Sequence, residues 1–325
     1  MKAVFFENGQ LKIADRPEPS ATAGQVVVKL KAASLNRRDL YTPKRLGDKA
    51  SAVILGSDGA GIIEALGEGV KNFKIGDEVI INPSLRWYEQ SVVPPADFDI
   101  VSLPDDGTFA EKIAISVEQI EPKPAYLTFE EAATLGIAPL TGYRALVTKA
   151  AIQAGETLFI PGASSGVATF IIQFAKNLGA RVIVTSRSAD KLAAAKELGA
   201  DLAINTADDW SLRLQDEVID TVIDSVGAAT FNRSLAVLKK GGKLVTFGAT
   251  TADVTSFNLR DFFYGQYTLY GTTLGCRVEF RACLAHITTH KMKPVIDRVY
   301  PIEQAQQAME RLRKNQQFGK IVITM

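Results

Sequence analysis

The sequence predicts an α/β protein in which a doubly wound parallel sheet is joined to a mostly antiparallel β domain. Two observations support this prediction. The first 125 residues are strand-like and rich in glycine turns, whereas short apolar runs alternate with helical stretches from residue 126 onward. Such alternation is typical of parallel βαβ units. Since domains commonly have roughly 100–200 residues, we predict two of them: residues 1–125, completed by 291–325, and residues 126–290.

The first domain contains two clear strand patterns, Val26–Ala32 and Val79–Ile81, and the second of these follows a turn at Gly76. Few helical periods are visible, so we expect mostly antiparallel pairing. The segment 84–108 is a long, proline-containing insertion. Loops of this length are usually functional or mobile. An equally open interpretation is a solvated excursion that packs against its own domain or against a second subunit.

The second domain contains six apolar runs, each bounded by turn residues or helical stretches, which suits a doubly wound sheet. The runs are 156–160, 181–186, 201–204, 219–224, 243–248 and 267–271. Helices are expected between them, and two more are expected near 278–290 and 303–314. The last apolar run, Gly319–Ile323, is predicted to return to the first domain.

Composition excludes several classes of protein. The net charge is +1 and no basic stripe is present, which argues against nucleic acid as a partner. The two cysteines provide no disulfide framework, a pattern typical of a reducing compartment. No signal peptide and no apolar run of about 18 residues occur. We therefore expect a cytoplasmic protein with no membrane contact.

The loop after the first strand of the second domain has the composition of a phosphate-binding turn. Small residues let the backbone turn tightly and approach a pyrophosphate, which the following helix N-terminus attracts. The spacing is Gly-x-x-x-Gly-x-Ala rather than G-x-G-x-x-G, so the strand–loop–helix context supports the prediction. A Rossmann dinucleotide site is predicted with these residues: Gly162, Ala163, Ser164, Ser165, Gly166 and Val167.

The end of the second strand favours NADPH over NADH. An acidic residue there would bind the ribose 2′-hydroxyl, but this chain has Ser186 and Arg187, with Lys191 following. Hydroxyl and guanidinium groups suit a 2′-phosphate. Alternatively, Arg187 and Lys191 are surface charges at a helix start.

Four segments resemble, in order and over the whole chain, the medium-chain dehydrogenase/reductase superfamily of zinc alcohol dehydrogenases and quinone oxidoreductases. They are Ser34–Leu40, Gly56–Gly61, Gly76–Val79 and the stretch from Leu135 through Tyr143 to the phosphate loop. The resemblance implies a GroES-like first domain and a Rossmann second domain.

The departures from the family's pattern point to its zinc-free branch. Zinc members have a cysteine at the position of Asn36, and a Gly-His-Glu motif where this chain has Gly56-Ser57-Asp58. Catalytic zinc needs three protein ligands of suitable type, so we expect no metal. Cys276, Cys283, His286 and His290 offer one alternative metal site, but a helix with two small core cysteines is the favoured interpretation.

The resemblance also implies where the coenzyme and substrate would bind. It places the nicotinamide near Asn36 and near the loop 271–275. Asn36, Arg37 and Tyr41 become candidate donors to the oxygen on which negative charge develops. Each also has a structural interpretation: a turn residue, an ion-pair partner and a core aromatic. The remaining predicted coenzyme contacts are Thr141, Phe247, Gly248, Ala249, Thr272, Thr273, Leu274, Phe318 and Lys320.

The predicted function is therefore zinc-independent hydride transfer from NADPH to a quinone or an α,β-unsaturated carbonyl. The alternatives are a non-catalytic NADPH-binding sensor or structural protein, and an aldehyde or alcohol dehydrogenase. The strand 267–271 is expected at the edge of the sheet, where it would pair with a second copy to form a homodimer.

Overall fold

The computed structural model describes residues 1–7, 9–42 and 53–325. The chain forms two compact units: Met1–Leu140 with Gly275–Met325, and Thr141–Leu274. Residues 126–140 and 275–290, which the sequence placed with the second domain, group with the first unit. Hydrogen bonds to the first domain explain this, since the Ile137 N–H donates to Asp58 Oδ1 (2.8 Å) and the Arg277 N–H donates to the Trp87 carbonyl (2.8 Å).

The strands and helices are numbered here in chain order over the described residues. The strands are β1 (Lys2–Glu7), β2 (Gln10–Asp15), β3 (Gln25–Ser34), β4 (Asp58–Leu66), β5 (Glu78–Ile81), β6 (Ser84–Leu85), β7 (Asp99–Ile100), β8 (Lys112–Ser116), β9 (Ile120–Pro122), β10 (Thr157–Ile160), β11 (Arg181–Ser186), β12 (Leu202–Asn205), β13 (Ile219–Asp224), β14 (Leu238–Thr246), β15 (Thr268–Gly271), β16 (Ile296–Pro301) and β17 (Lys320–Thr324). The α-helices are α1 (Phe129–Ala132), α2 (Ile137–Tyr143), α3 (Gly166–Asn177), α4 (Ala189–Glu197), α5 (Trp210–Arg213), α6 (Ala228–Val237), α7 (Leu259–Tyr264), α8 (Arg277–Thr289) and α9 (Ala305–Arg313), and a π-helix covers Arg144–Lys149.

The first unit is built on a sheet that, over the described residues, has the order β16-β17-β3-β4-β5-β9, with β8 also pairing with β3. All pairs are antiparallel except β16 with β17. The pairing of β17 with β3 confirms that the C-terminal strand returns to the first domain. The alternating apolar residues of β3, β5 and β8 form one face of the core, for example Val26, Val28, Leu30, Val79 and Ile113.

The register of three strands brings distant polar residues together. Ser34, the last residue of β3, lies opposite Asp58 at the start of β4 and opposite Val322 of β17 on its other side. The Leu35 N–H then donates to the Ile321 carbonyl at 2.9 Å. The chain segment that carries Asn36 is consequently fixed between the beginning of β4 and the beginning of β17.

The insertion 84–108 folds against its own unit. β6 pairs with β7, and Arg86 forms an ion pair with Asp99 at 2.5 Å. Trp87 is buried and meets Phe98 edge to face, with ring centroids 5.4 Å apart. The packing of Trp87 anchors this otherwise irregular segment.

The second unit is described in full and carries six parallel strands in the order β12-β11-β10-β13-β14-β15. This order confirms the doubly wound sheet. Phe170, Ile171 and Phe174 of α3 are buried, as the helical period predicted. β14 begins before the predicted strand, with Gly241 at φ +76° where the chain bends. Across the described residues, no helix is both long and apolar enough to cross a bilayer.

Candidate active site

A buried polar network joins Asn36, Asp58 and Lys320 in the first unit. The Asn36 Nδ2 donates to Asp58 Oδ2 at 2.8 Å, and the Lys320 ammonium donates to Asn36 Oδ1 at 2.7 Å. Lys320 Nζ also lies 3.0 Å from Asp58 Oδ2 and 2.8 Å from the Leu35 carbonyl. The three hydrogens of the ammonium therefore each have an acceptor. Burial of such a charged pair is stable only when hydrogen bonds satisfy both partners, as they do here.

Asp58 is held from two further sides. The Ser34 hydroxyl donates to its Oδ2 at 3.0 Å, and the backbone N–H of Ile137 donates to its Oδ1 at 2.8 Å. Asp58 is fully buried. A Cβ at Gly136 would lie only 2.2 Å from Asp58 Oδ1, so the close approach of this backbone requires glycine.

Ser57 occupies the position where the family's zinc members have histidine, and it is bound to protein groups. Its hydroxyl donates to the Val101 carbonyl at 2.7 Å. The Arg38 guanidinium donates to the same carbonyl at 2.8 Å and to the Ser57 hydroxyl. A cationic side chain thus lies next to this serine.

Asp39 is a second buried carboxylate in the same region. Its Oδ2 accepts the Asn36 backbone N–H at 2.7 Å. Burial raises the pKa of Asp39 to about 6, against the opposing effects of the Arg38 charge and of the Asn36 N–H hydrogen bond. Removal from water disfavours the charged form of a carboxyl group, which is why its pKa rises.

The other two predicted catalytic residues lie outside this network. Arg37 donates to the Asn315 side chain and, at 3.4 Å, to the Leu312 carbonyl at the C-terminal turn of α9. A cation at that end of a helix is favourable. Tyr41 is exposed over 42% of its surface rather than packed in the core. Both positions stay predictions as far as catalysis is concerned.

The residues of this region do not fit a catalytic zinc ion. Among the three residues at the family's ligand motifs, Asn36 and Ser57 offer neutral oxygen or nitrogen atoms that already have protein partners, and only Asp58 is ionic. Over the ranges 1–7, 9–42 and 53–325, no cluster of three or more His, Cys, Asp or Glu is placed to hold a metal ion.

The residues of the alternative metal site belong to α8 and its start. Cys276 caps this helix, its sulfur accepting the Glu279 N–H at 3.4 Å. Cys283 is fully buried, and burial raises the pKa of its thiol. The rings of His286 and His290 lie 4.4 Å apart, and burial together with the neighbouring ring lowers the pKa of His286.

The predicted phosphate loop lies at the carboxyl end of β10, in the second unit. Gly162 has φ +82°, a conformation that favours glycine, and the Ala163 N–H donates to the Thr185 carbonyl at 2.8 Å. The Ser165 hydroxyl accepts the Ala168 N–H at 3.0 Å and caps α3. The first N–H groups of α3 have no carbonyl four residues earlier within the helix, so they suit the phosphates of a dinucleotide.

The end of β11 presents the residues predicted to select NADPH. Ser186 is buried and its hydroxyl accepts the Ser188 N–H at 3.3 Å, whereas Arg187 is exposed. Lys191 follows on α4, half-buried. The first acidic residue after this strand is Asp190.

A cleft of about 400 Å³ lies at the carboxyl ends of β13, β14 and β15. It brings together four of the predicted coenzyme contacts: Phe247, Gly248, Ala249 and Thr272. Thr273 is exposed, and Thr141 and Leu274 are buried in the second unit. The remaining two, Phe318 and Lys320, belong to the first unit.

Sequence reasoning missed the role of two carboxylates. Asp58 was considered only as a poor zinc ligand, and Asp39 was not considered at all. The signal was available in part, because Asp39 lies three residues after Asn36 and can cap the turn that Asn36 begins. Nothing local indicated that Lys320 would reach Asn36, since 284 residues separate them.

A Rossmann sheet with a phosphate loop at 162–167, joined to an antiparallel β domain, is the architecture of a class of two-domain dehydrogenases. Comparison with known families agrees. Residues 22–125 match the alcohol dehydrogenase GroES-like domain, and residues 166–289 match the zinc-binding dehydrogenase family.

Individual relatives cover nearly the whole chain. A protein of Leptosphaeria maculans called "Zinc-type alcohol dehydrogenase-like protein YogA" is 32% identical over 97% of this chain and 94% of its own. The Arabidopsis thaliana "NADPH-dependent alkenal/one oxidoreductase, chloroplastic" is 31% identical over 94% of this chain and 73% of its own. A solved structure described as an NAD-dependent alcohol dehydrogenase has a TM-score of 0.94 and 33% identity, and covers all of both chains. This chain belongs to the medium-chain dehydrogenase/reductase superfamily and is an oxidoreductase.

Proposed function

We propose that this oxidoreductase uses NADPH, needs no zinc, and transfers hydride to a quinone or an α,β-unsaturated carbonyl compound. The observation that carries the proposal is the Lys320 ammonium, which bridges Asn36 and Asp58 where zinc members of the family have metal ligands. A buried lysine charge and a divalent cation would repel each other at this place. The proposal therefore assigns the stabilisation of negative charge to hydrogen-bond donors rather than to a Lewis acid.

The choice of NADPH is supported by the end of β11. Ser186 and the exposed Arg187 suit a 2′-phosphate, and an acidic side chain that would repel it is absent between Ser186 and Ala189. The Arabidopsis relative is named for NADPH and for alkenals and enones, which supports the same acceptor class. The residues proposed to hold the coenzyme are those of the phosphate loop 162–167, the end of β11 and the cleft at Phe247–Ala249.

In this proposal the protein positions the acceptor and the coenzyme, and the chemical reaction takes place on the coenzyme. NADPH, when bound, supplies the hydride. Asn36 donates an N–H to the carbonyl oxygen of the acceptor, where negative charge develops during the transfer. Water returns the proton, so the chain needs no dedicated acid.

Turnover against a panel of acceptors tests the proposal. NADPH and NADH oxidation is followed at saturating acceptor with quinones, enals, enones and aldehydes, and purified protein is analysed for metals. We expect NADPH oxidation with quinones or enones, no loss after chelation, and far below one zinc per chain. Stoichiometric zinc, or activity confined to alcohols and aldehydes with NAD(H), would refute it. NADPH binding without any turnover would favour the sensor interpretation instead.

The arginine at the end of β11 gives the sharpest test of coenzyme choice. Arg187→Ala should weaken NADPH binding by about ten- to a hundredfold, the effect of losing one hydrogen bond to a charged group, and leave NADH binding unchanged. Arg260→Ala removes another exposed arginine of the same unit and serves as the control. Equal NADPH affinity in both variants would remove Arg187 from the site.

We also propose that the chain forms a homodimer in the cytoplasm. β15 is an edge strand of the parallel sheet, and its Leu269 is 39% exposed. Exposed apolar side chains of the neighbouring α7 extend this surface: Leu259, Phe263 and Tyr264. Unpaired strand edges with apolar neighbours favour pairing with a second copy. The two free, buried cysteines suit a reducing compartment.

A further inference from the structure

The orientation of the Asn36 amide is fixed by two opposite charges. Its Nδ2 faces the Asp58 carboxylate and its Oδ1 faces the Lys320 ammonium. Rotation by 180° would place oxygen against carboxylate and NH2 against ammonium, so one arrangement is strongly preferred. Neutral donor and acceptor partners would favour one orientation less strongly, because hydrogen bonds to charged groups are the stronger ones.

Within the described residues, each side-chain donor hydrogen of this network has an acceptor except one. Lys320 uses all three hydrogens on Leu35, Asn36 and Asp58. Asp58 accepts from Ser34, Asn36 and Lys320 on Oδ2 and from Ile137 on Oδ1. An amide nitrogen carries two hydrogens, and Asp58 takes one of those on Asn36. Among the hydrogen bonds of the described residues the second has no acceptor, and it is the donor that the network leaves over.

The solvent exposure of the three side chains also indicates that Asn36 is the member that can reach a ligand. Asp58 is 0% exposed, Lys320 3% and Asn36 8%, so Asn36 is its most accessible member. We propose that Asp58 and Lys320 are positioning residues for Asn36, which hold its amide so that the second Nδ2 hydrogen is presented to the carbonyl oxygen of the acceptor. This inference rests on the proposed function, and it assigns Lys320 to Asn36 rather than to the coenzyme.

A double-mutant cycle tests whether Asp58 acts through Asn36. We compare Asn36→Ala, Asp58→Asn and the double variant for kcat, KM and NADPH affinity. Asp58→Asn should lower kcat at least about tenfold, which corresponds to one lost transition-state interaction, while NADPH affinity changes less than about threefold. In the Asn36→Ala background, Asp58→Asn should lower kcat no further, because the residue through which it acts is absent. Independent, multiplicative losses would overturn the inference.

A matched control separates positioning from stability. Glu121 forms ion pairs with Arg277 (3.0 Å) and Arg281 (2.8 Å) in the same unit, and none of the three has a hydrogen bond to Asn36 among those of the described residues. Glu121→Gln should lower the melting temperature but leave kcat within about twofold, in line with a purely structural ion pair. If Glu121→Gln lowers kcat as much as Asp58→Asn does, the effect is one of stability and the inference fails.

Two further measurements apply if Asp58→Asn does not fold or if the wild type has no turnover. If Asp58→Asn does not fold, Ser34→Ala removes one hydrogen bond to Asp58 and should lower kcat about two- to fivefold, an effect again absent in the Asn36→Ala background. If the wild type reduces no acceptor, the proposed function has failed, but the side-chain amide resonances of Asn36 still report its orientation. Assigned through Asn36→Ala, they should lose their distinct, exchange-protected positions in Lys320→Met. Unchanged resonances would refute the positioning role.

Discussion

Gly136 offers a direct test of how tightly the buried network is built. A Cβ at this position would lie 2.2 Å from Asp58 Oδ1 and 2.9 Å from its Cγ. In Gly136→Ala the carboxylate must therefore move by about 1 Å to reach ordinary contact. That movement breaks the 2.8 Å hydrogen bond from the Ile137 N–H, which is a bond to a charged group.

The cost follows from two contributions. Overpacking costs about 1–3 kcal/mol and the lost hydrogen bond about 1.5–3 kcal/mol, so we expect a loss of about 2.5–6 kcal/mol in the free energy of unfolding of the first unit. For a unit of this size each kcal/mol lowers the melting temperature by about 2–4 °C. The expected fall is roughly 5–24 °C, with a lower kcat because Asn36 loses its anchor.

Scanning calorimetry and steady-state kinetics measure the two effects. Gly271→Ala is the control for the melting temperature alone, since a Cβ there meets nothing within 4 Å and the residue does not have positive φ. Its melting temperature should stay within about 2 °C, as for most surface substitutions. A Gly136→Ala protein with wild-type melting temperature and kcat would show that Asp58 is not held as rigidly as these distances indicate, and would refute the reasoning.

Three further predictions concern the buried Asp39, the N-cap of α3 and the oligomeric state. The Asp39 carboxyl has a pKa of about 6 in the folded protein and about 4 in the unfolded chain, so the folded state binds the proton more tightly. The free energy of unfolding should therefore fall by about 3 kcal/mol as the pH rises from 4 through 6. Urea titrations of Asp39→Asn should lack this fall. A stability difference between wild type and Asp39→Asn that does not change between pH 4 and 7 would contradict it. Ser165→Ala removes the cap of α3 and should cost about 1 kcal/mol in urea unfolding, with weaker NADPH binding; unchanged values for both would show that the cap is unimportant. Light scattering should give twice the chain mass of 35.1 kDa, reduced to one chain by Leu269→Asp on β15, and a monomeric wild type would end the dimer proposal.

The fold could be predicted from the sequence because its signals are local. Apolar runs of β10, β11 and β13 alternate with helices, and this pattern needs no knowledge of distant contacts. The boundaries were harder to place. The helix α8 has an ordinary amphipathic pattern, and distant contacts such as those of Arg277 with Trp87 and with Glu121 show that it packs in the first unit.

The site was predictable residue by residue but not as a network. Asn36 and Lys320 were both named, one as a catalytic residue and the other as a coenzyme contact. Their hydrogen bond depends on the register of β17 against β3, which fixes Val322 opposite Ser34. A shift of one residue would turn Lys320 to the other face of the sheet, and no local pattern specifies that register so sharply.

The charges of this network bear on the proposal that the enzyme needs no zinc. Lys320 Nζ lies 3.0 Å from Asp58 Oδ2, whereas Asp39 accepts the Asn36 backbone N–H and is influenced by the charge of Arg38. Removing carboxylates from water is costly unless opposite charges and hydrogen bonds compensate, and at Asp58 the ammonium of Lys320 supplies both. A divalent ion added here would have to displace Lys320 or accept its repulsion, and displacement would leave Asn36 without its fixed orientation. Under the proposed function, the arrangement that holds Asn36 therefore also disfavours zinc, and a variant that recovers metal binding should lose Asn36-dependent turnover.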